Sequence, residues 1–185
     1  MLLVIAAVVL VITVPLAGGN LKRLADLDFR AIWTVLLSCA IQVGITSLIR
    51  GGSHELHVVL HFASYALVVW FLVANRHIYG MPLLALGAGL NMLAIAVNDG
   101  TMPASSFALR VSGIDTSGGF ENSGHLSHAH LQFLGDVIPV PGPWPIGNVL
   151  SIGDLLIYTG GFIVLHCACR SRLALRRRRL AAAEI

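Results

Sequence analysis

Five long apolar stretches constrain this chain more than any other feature of its sequence. They cover approximately residues 1–17, 30–49, 56–75, 81–98 and 149–169. A helix needs roughly 20 apolar residues to cross about 30 Å of hydrocarbon, and each stretch approaches that length. Because 56% of the residues are hydrophobic and only 11% are charged, a water-soluble fold would lack polar surface. The sequence predicts an all-α fold: a single domain, residues 1–185, forming an integral membrane bundle of five transmembrane helices.

The distribution of positive charge predicts the orientation of this bundle. If the stretches alternate in direction, ten of the twelve Lys and Arg residues fall on one side, namely Lys22, Arg23, Arg30, Arg76, Arg170, Arg172 and residues 176–179. Positive segments resist export, so we expect a plasma-membrane protein with its N-terminus outside and a cytoplasmic basic tail at residues 170–185. The expected partners are the lipid bilayer, whose anionic headgroups such a tail contacts, and a partner membrane protein. No nucleic-acid partner is expected.

The connection between the fourth and fifth stretches is far longer than usual. This segment, residues 99–148, is predicted to be an outer loop, and any local function is expected there. Its first half contains FALRVSGIDTSGGFENSG, which is rich in Gly and Ser and predicts surface loop. Its second half, HLQFLGDVIPVPGPWP, is too apolar for water and too rich in Pro to span. We expect it to lie in the membrane interface or between helices, anchored by Trp144.

Three motifs resemble a family of small bacterial membrane proteins of unknown function. They are NDGTMPAS (residues 98–105), LGDVIPVP (134–141) and NVLSIGDLLIYTG (148–160). The resemblance covers most of the chain and implies the five-helix fold and an outer-face site, but no reaction. We therefore expect the protein to bind a small molecule, a lipid or a partner protein there. The candidate ligand-binding residues are Asn98, Met102, Pro103, Asp136, Trp144 and Ser151.

Two acidic residues, each preceded by Gly, have both structural and chemical interpretations. Ser151 and Asp154 precede an apolar run with the spacing of a capping box. Asp136 lies in an apolar context where an unpaired carboxylate would be costly, so a turn-forming role and a ligand-binding or catalytic role both stay open. The alternative function is an outer-face membrane hydrolase or aspartyl peptidase, with Asp136 and Asp154 as its catalytic pair.

The segment PWPIGNVLSIGD is also weakly similar to the lipoprotein signal peptidases, which have a catalytic Asp at the start of their last helix. Leu150 stands at the position of that Asp, and Asp154 follows one helical turn later. The departure affects the catalytic position itself.

A second alternative is an outer-face metal site built from histidines. Six of the eight histidines fall on the outer side: His54, His57, His61, His125, His128 and His130. Residues three and four positions apart share one helical face, so the first three are expected to align on the third helix. Zinc or copper would suit such ligands. The competing interpretation is that these histidines are solvated residues of a helix start and a loop.

The fourth apolar stretch predicts close packing. Gly87 and Gly89 would permit a neighbouring helix to approach closely, and Asn91 is expected to hydrogen-bond to that helix.

Overall fold

The computed structural model describes residues 2–45, 54–114, 123–124, 129–142 and 147–174. The elements are, in order, α1 (Leu2–Leu16), a 3-10 helix (Leu21–Asp26), α2 (Ile32–Val43), α3 (His54–Ala74), α4 (Met81–Ala96), β1 (Met102–Pro103), α5 (Ser106–Val111), β2 (Ser123–Gly124), another 3-10 helix (Gln132–Leu134), β3 (Ile138–Val140), β4 (Asn148–Leu150) and α6 (Ile152–Ala168). The chain is mostly helical. Strand β1 pairs in parallel with β2, and β3 pairs antiparallel with β4, so the all-α prediction is corrected by two short sheets in the segment before α6.

The apolar helices coincide with the five predicted stretches, but most are shorter than predicted. Within the described residues, α3 is long and apolar enough to cross a membrane, with a mean hydropathy of 2.0 over Leu56–Ala74. The shorter apolar helices extend over Ile5–Leu16, Ile32–Val43, Met81–Ala96 and Ile152–Ala168. Helix α4 ends before two positive-φ residues, Asp99 and Gly100, which cannot continue a right-handed helix. Helix length by itself therefore supports one span.

Contacts between the long helices run in the order α1, α6, α4, α3, α2. The closest pair is α4 and α6, which are antiparallel and meet at glycines. A Cβ added to Gly87 would lie 2.5 Å from the carbonyl oxygen of Gly153, and one added to Gly80 would lie 2.5 Å from that of Gly160. The packing prediction is confirmed for Gly87 and wrong for Gly89, where an added Cβ would meet nothing within 4 Å.

Most of the described Lys and Arg residues lie at one end of the packed helices, which we call the basic end. The Asn20 N–H donates to the Cys169 carbonyl and the Arg172 N–H donates to the Ala17 carbonyl, each at 3.0 Å. The Asn75 side chain bonds the backbone N–H and carbonyl of Arg30. These contacts bring together the C-terminal ends of α1, α3 and α6 and the N-terminal end of α2. All the described Lys and Arg residues except Arg110 lie within a few positions in sequence of the residues that make these contacts.

The described residues between α4 and α6 fold back over the opposite end, and we call them the folded-back segment. The Asp136 N–H donates to the Pro103 carbonyl at 2.8 Å, and the Ser105 N–H donates to the Asp136 carbonyl at 3.0 Å. Residues 107–111, predicted as surface loop, instead belong to α5. Its Ala108 and Leu109 are buried in a cluster with Val149. The Gly- and Ser-rich composition did not predict this helix, because the apolar cluster that buries it forms only in the folded chain.

Candidate functional site

A small cavity lies between α3, α4, α6 and the folded-back segment, at the end opposite the basic residues. Its volume is about 150 Å³. The lining residues are His61 and Tyr65 from α3, Asn91 and Ile95 from α4, Gly100 and Met102 from the chain after α4, and Asp136 and Asp154. We call it the acidic cavity because both predicted acidic residues reach it.

The capping box at the start of α6 positions Asp154. The Asp154 N–H donates to Ser151 Oγ at 2.9 Å, and the Ser151 N–H donates to Asp154 Oδ2 at 3.0 Å. Two otherwise unpaired backbone N–H groups of the helix start are thereby satisfied. A carboxylate at this position also interacts favourably with the helix dipole. The structural prediction for Ser151 and Asp154 is confirmed.

Asn91 extends the capping box across to α4. Ser151 Oγ donates to Asn91 Oδ1 at 2.8 Å, and Asn91 Nδ2 donates to Asp154 Oδ1 at 2.9 Å. Both carboxylate oxygens of Asp154 therefore accept a hydrogen bond, and the direction of every bond is defined. The expectation that Asn91 hydrogen-bonds to a neighbouring helix is confirmed. We call Asn91, Ser151 and Asp154 the polar clamp.

Each acidic residue follows a glycine for a steric reason. A Cβ on Gly153 would overlap Asn91 Oδ1, and a Cβ on Gly135 would overlap the Pro103 carbonyl oxygen. At both Gly-Asp pairs, a neighbouring element thus leaves no room for a side chain in place of the glycine. Asp136 is 7% exposed, and its backbone forms an isolated bridge with Ala104. Both acidic residues line the same cavity.

His61 and Tyr65 form the α3 wall of the cavity. They lie one helical turn apart, and their ring centroids are 4.8 Å apart. On the side facing α2, His61 Nδ1 lies 3.2 Å from Gln42 Nε2. Sequence reasoning missed Tyr65 and Gln42. The spacing of four residues between His61 and Tyr65 was the available signal for the first, whereas nothing local pointed to Gln42.

The other predicted ligand-binding residues occupy different positions. Asn98 fastens the folded-back segment to α4, since its Oδ1 accepts from the His130 N–H and its Nδ2 donates to the carbonyls of His130 and Ala94. Met102 lines the cavity, whereas Pro103 is buried and bonds the Asp136 backbone. Trp144 lies outside the described residues.

The predicted histidine cluster is only partly described. Among the described residues, no group of three or more His, Cys, Asp or Glu side chains could hold a metal ion. His61 lines the acidic cavity. His130 is exposed, and its backbone N–H donates a hydrogen bond to Asn98 Oδ1. The remaining predicted ligands are His57, which is half-buried on α3, and His54, His125 and His128, whose side chains lie outside the described residues. The zinc or copper site stays a prediction.

Comparison with known proteins places residues 26–166, which contain the whole cavity and the polar clamp, within one family. The chain belongs to DUF5317, a family of unknown function. An uncharacterized protein of Thermotoga maritima is 29% identical over 145 residues, which cover 78% of this chain and 79% of that protein. No solved structure matches the chain. The expected membership of a family of unknown function is confirmed, whereas the similarity to lipoprotein signal peptidases finds no support in these matches.

Proposed function

We propose that this DUF5317 protein is a multi-pass membrane protein that binds a small, positively charged molecule in the acidic cavity, at the outer face. The observation that carries the proposal is that Asp136 and Asp154, distant in sequence, line one cavity together with two aromatic rings, His61 and Tyr65.

Exposed apolar side chains support membrane insertion. Large hydrophobic residues on all five long helices face outward, among them Leu36 at 67% exposure, Val59 at 64% and Leu86 at 54%. A soluble monomer rarely exposes large contiguous apolar surface, whereas hydrocarbon would cover such side chains without cost. Five spans, rather than the one that helix length alone supports, would bury these surfaces in lipid.

The basic end supports the proposed orientation. Trp33 and Trp70 are both more than half exposed and form an edge-to-face pair with centroids 6.2 Å apart, close to Arg30 and Arg76 in sequence. Tryptophan is enriched at membrane interfaces, and Lys and Arg are enriched on the cytoplasmic side. This end would therefore face the cytoplasm and the acidic cavity would open outward.

Size and charge restrict the ligand. A cavity of about 150 Å³ holds a molecule of about benzene size, which favours a compact ligand over a lipid chain or a peptide. Two carboxylates that line one cavity attract a cationic ligand, and Tyr65 adds an aromatic ring to the same lining. Binding of a small ammonium ion satisfies both requirements.

The polar clamp favours binding over hydrolysis. An aspartyl dyad shares a proton between carboxylate oxygens roughly 3 Å apart. Both oxygens of Asp154 are instead engaged by the Ser151 N–H and the Asn91 amide. Asp154 is thus held as a hydrogen-bond acceptor. Its structural role at the start of α6 accounts for the residue without a catalytic reaction.

Binding can be tested by thermal unfolding of the detergent-purified protein with increasing ethanolamine, against neutral ethylene glycol of similar size. We expect ethanolamine to raise the melting temperature in a saturable way, because it binds only the folded state. Asp136→Asn should weaken the effect at least tenfold in concentration. Asp99→Asn, at an exposed position, is the matched control. An equal response to ethylene glycol, or an undiminished response in Asp136→Asn, would contradict the proposal.

A further inference from the structure

We infer that Gln42 is a positioning residue that fixes the tautomer of His61, so that the acidic cavity presents an N–H donor beside its carboxylates. The cavity would then select small ammonium ions that also carry a hydrogen-bond acceptor. The ligand class rests on the proposed function, whereas the tautomer does not depend on it.

The orientation of the Gln42 amide is set by Ser64. The Ser64 hydroxyl donates to the His61 carbonyl at 2.8 Å, and its oxygen lies 2.6 Å from Gln42 Nε2. With its single proton donated to the His61 carbonyl, Ser64 Oγ accepts from Gln42. The nitrogen of the Gln42 amide, rather than its oxygen, is therefore directed at α3. Ser38 Oγ, which donates to the Ser64 carbonyl at 3.0 Å, ties the two helices at the same level.

The same amide nitrogen defines the proton on His61. Gln42 Nε2 lies 3.2 Å from His61 Nδ1, and an amide nitrogen can only donate. Nδ1 must then accept, which in a neutral imidazole leaves the proton on Nε2. Gln42 belongs to α2, whereas the cavity is lined by α3, α4, α6 and the folded-back segment. The Nδ1 edge of the ring thus faces α2. Because His61 also lines the cavity, we infer that its Nε2–H is the group offered there.

A donor beside two carboxylates changes which cations fit best. A simple alkylammonium ion would be attracted by the negative charge of Asp136 and Asp154 but would offer no acceptor to the Nε2–H of His61. A neighbouring hydroxyl, ether or phosphate oxygen would accept that hydrogen bond, whereas a ligand that covers the donor without accepting from it would leave the donor unmet, which is costly. The matching chemistry is a small ammonium ion that also carries an oxygen acceptor, as in free amino alcohols and in the headgroup of phosphatidylethanolamine.

The tautomer is measured directly by long-range ¹H–¹⁵N correlation spectra of the detergent-solubilised protein, with His61 assigned by its loss in His61→Gln. We expect protonated Nε2 and unprotonated Nδ1 in the wild type. Gln42→Leu should yield a mixture of tautomers, and Gln42→Glu should move the proton to Nδ1, because a carboxylate can only accept. Gln132→Leu, at an exposed position, should leave the spectrum unchanged. A wild-type proton on Nδ1, or an unaltered His61 signal in folded Gln42→Leu, overturns the inference.

Selectivity is measured as the affinity for ethanolamine relative to ethylamine. We expect a preference for ethanolamine of roughly tenfold, lost in Gln42→Glu and retained in His61→Gln, whose amide still offers an N–H. Nanodiscs of phosphatidylethanolamine, compared with nanodiscs of phosphatidylcholine, distinguish a lipid headgroup from a free amine. If the headgroup is the ligand, it competes with free ethanolamine only in the phosphatidylethanolamine nanodiscs. Equal affinity for both amines overturns the selectivity. Failure of both amines to bind, with the expected tautomer present, contradicts the proposed function and leaves the role of Gln42 supported.

Discussion

The hydrogen-bond directions of the polar clamp predict how the stability of the protein changes when the side chains of Asn91 and Asp154 are exchanged. In the wild type, Ser151 Oγ donates to Asn91 Oδ1, Asn91 Nδ2 donates to one Asp154 oxygen, and the other oxygen accepts from the Ser151 N–H. Asp154→Asn replaces one of these acceptors by an NH₂ group. Two donors then face each other, whichever way the new amide is turned.

Rotating Asn91 does not relieve this conflict. Its oxygen would then accept from the new amide, but its nitrogen would face Ser151 Oγ, and the serine proton would lose its acceptor. One buried donor stays unmet in every arrangement, which costs about 1–3 kcal/mol. For a chain of this length such a loss corresponds to about 2–4 °C in melting temperature per kcal/mol. A capping role without Asn91 would predict a smaller loss, since an amide oxygen still caps the helix.

The double variant, Asn91→Asp with Asp154→Asn, restores every bond. The carboxylate introduced on α4 accepts from Ser151 Oγ and from the new amide on α6, and the oxygen of that amide accepts from the Ser151 N–H. We expect each single variant to be destabilised and the double variant to recover to within about 1 kcal/mol of wild type, a coupling in the range seen for contacting residues. Reversible unfolding in mixed micelles measures all four free energies. Additive losses, or a neutral Asp154→Asn, would refute the reasoning.

Two further predictions concern packing and orientation. Gly153→Ala should destabilise the protein by about 1–3 kcal/mol, because the added methyl group meets Asn91 Oδ1 and lies 2.7 Å from the Gly87 carbonyl oxygen. Gly89→Ala, with open space around the new Cβ, should be neutral or slightly stabilising in the same unfolding measurement; equal losses would contradict the glycine contact. In intact cells, a cysteine introduced at Arg110 should react with a membrane-impermeant maleimide and one introduced at Arg178 should not. The reverse pattern would place the acidic cavity on the cytoplasmic side.

Local features were readable from the sequence. The capping box joins residues three positions apart, so the pattern Ser-Ile-Gly-Asp before an apolar run was sufficient to predict it. The five apolar stretches were equally direct, because helix-forming hydrophobic runs need no knowledge of their neighbours. The helix ends were harder to predict. The turn at Asp99 and Gly100 ends α4 early, and the strand before Ser151 delays the start of α6, so both helices are shorter than their apolar stretches.

Contacts between distant residues were decided only by the tertiary structure. Asn91 and Asp154 are 63 positions apart and Gln42 and His61 are 19 apart, and no periodicity indicates which polar side chains will meet across a helix pair. Asn98 shows the same limit: its motif suggested ligand binding, whereas folding directs its amide to the His130 backbone. The sequence alone determines where the apolar helices and the helix cap lie, because those depend on neighbours within one or two turns. Which acids share a cavity depends on how α3, α4, α6 and the folded-back segment pack, and that is a property of the whole fold.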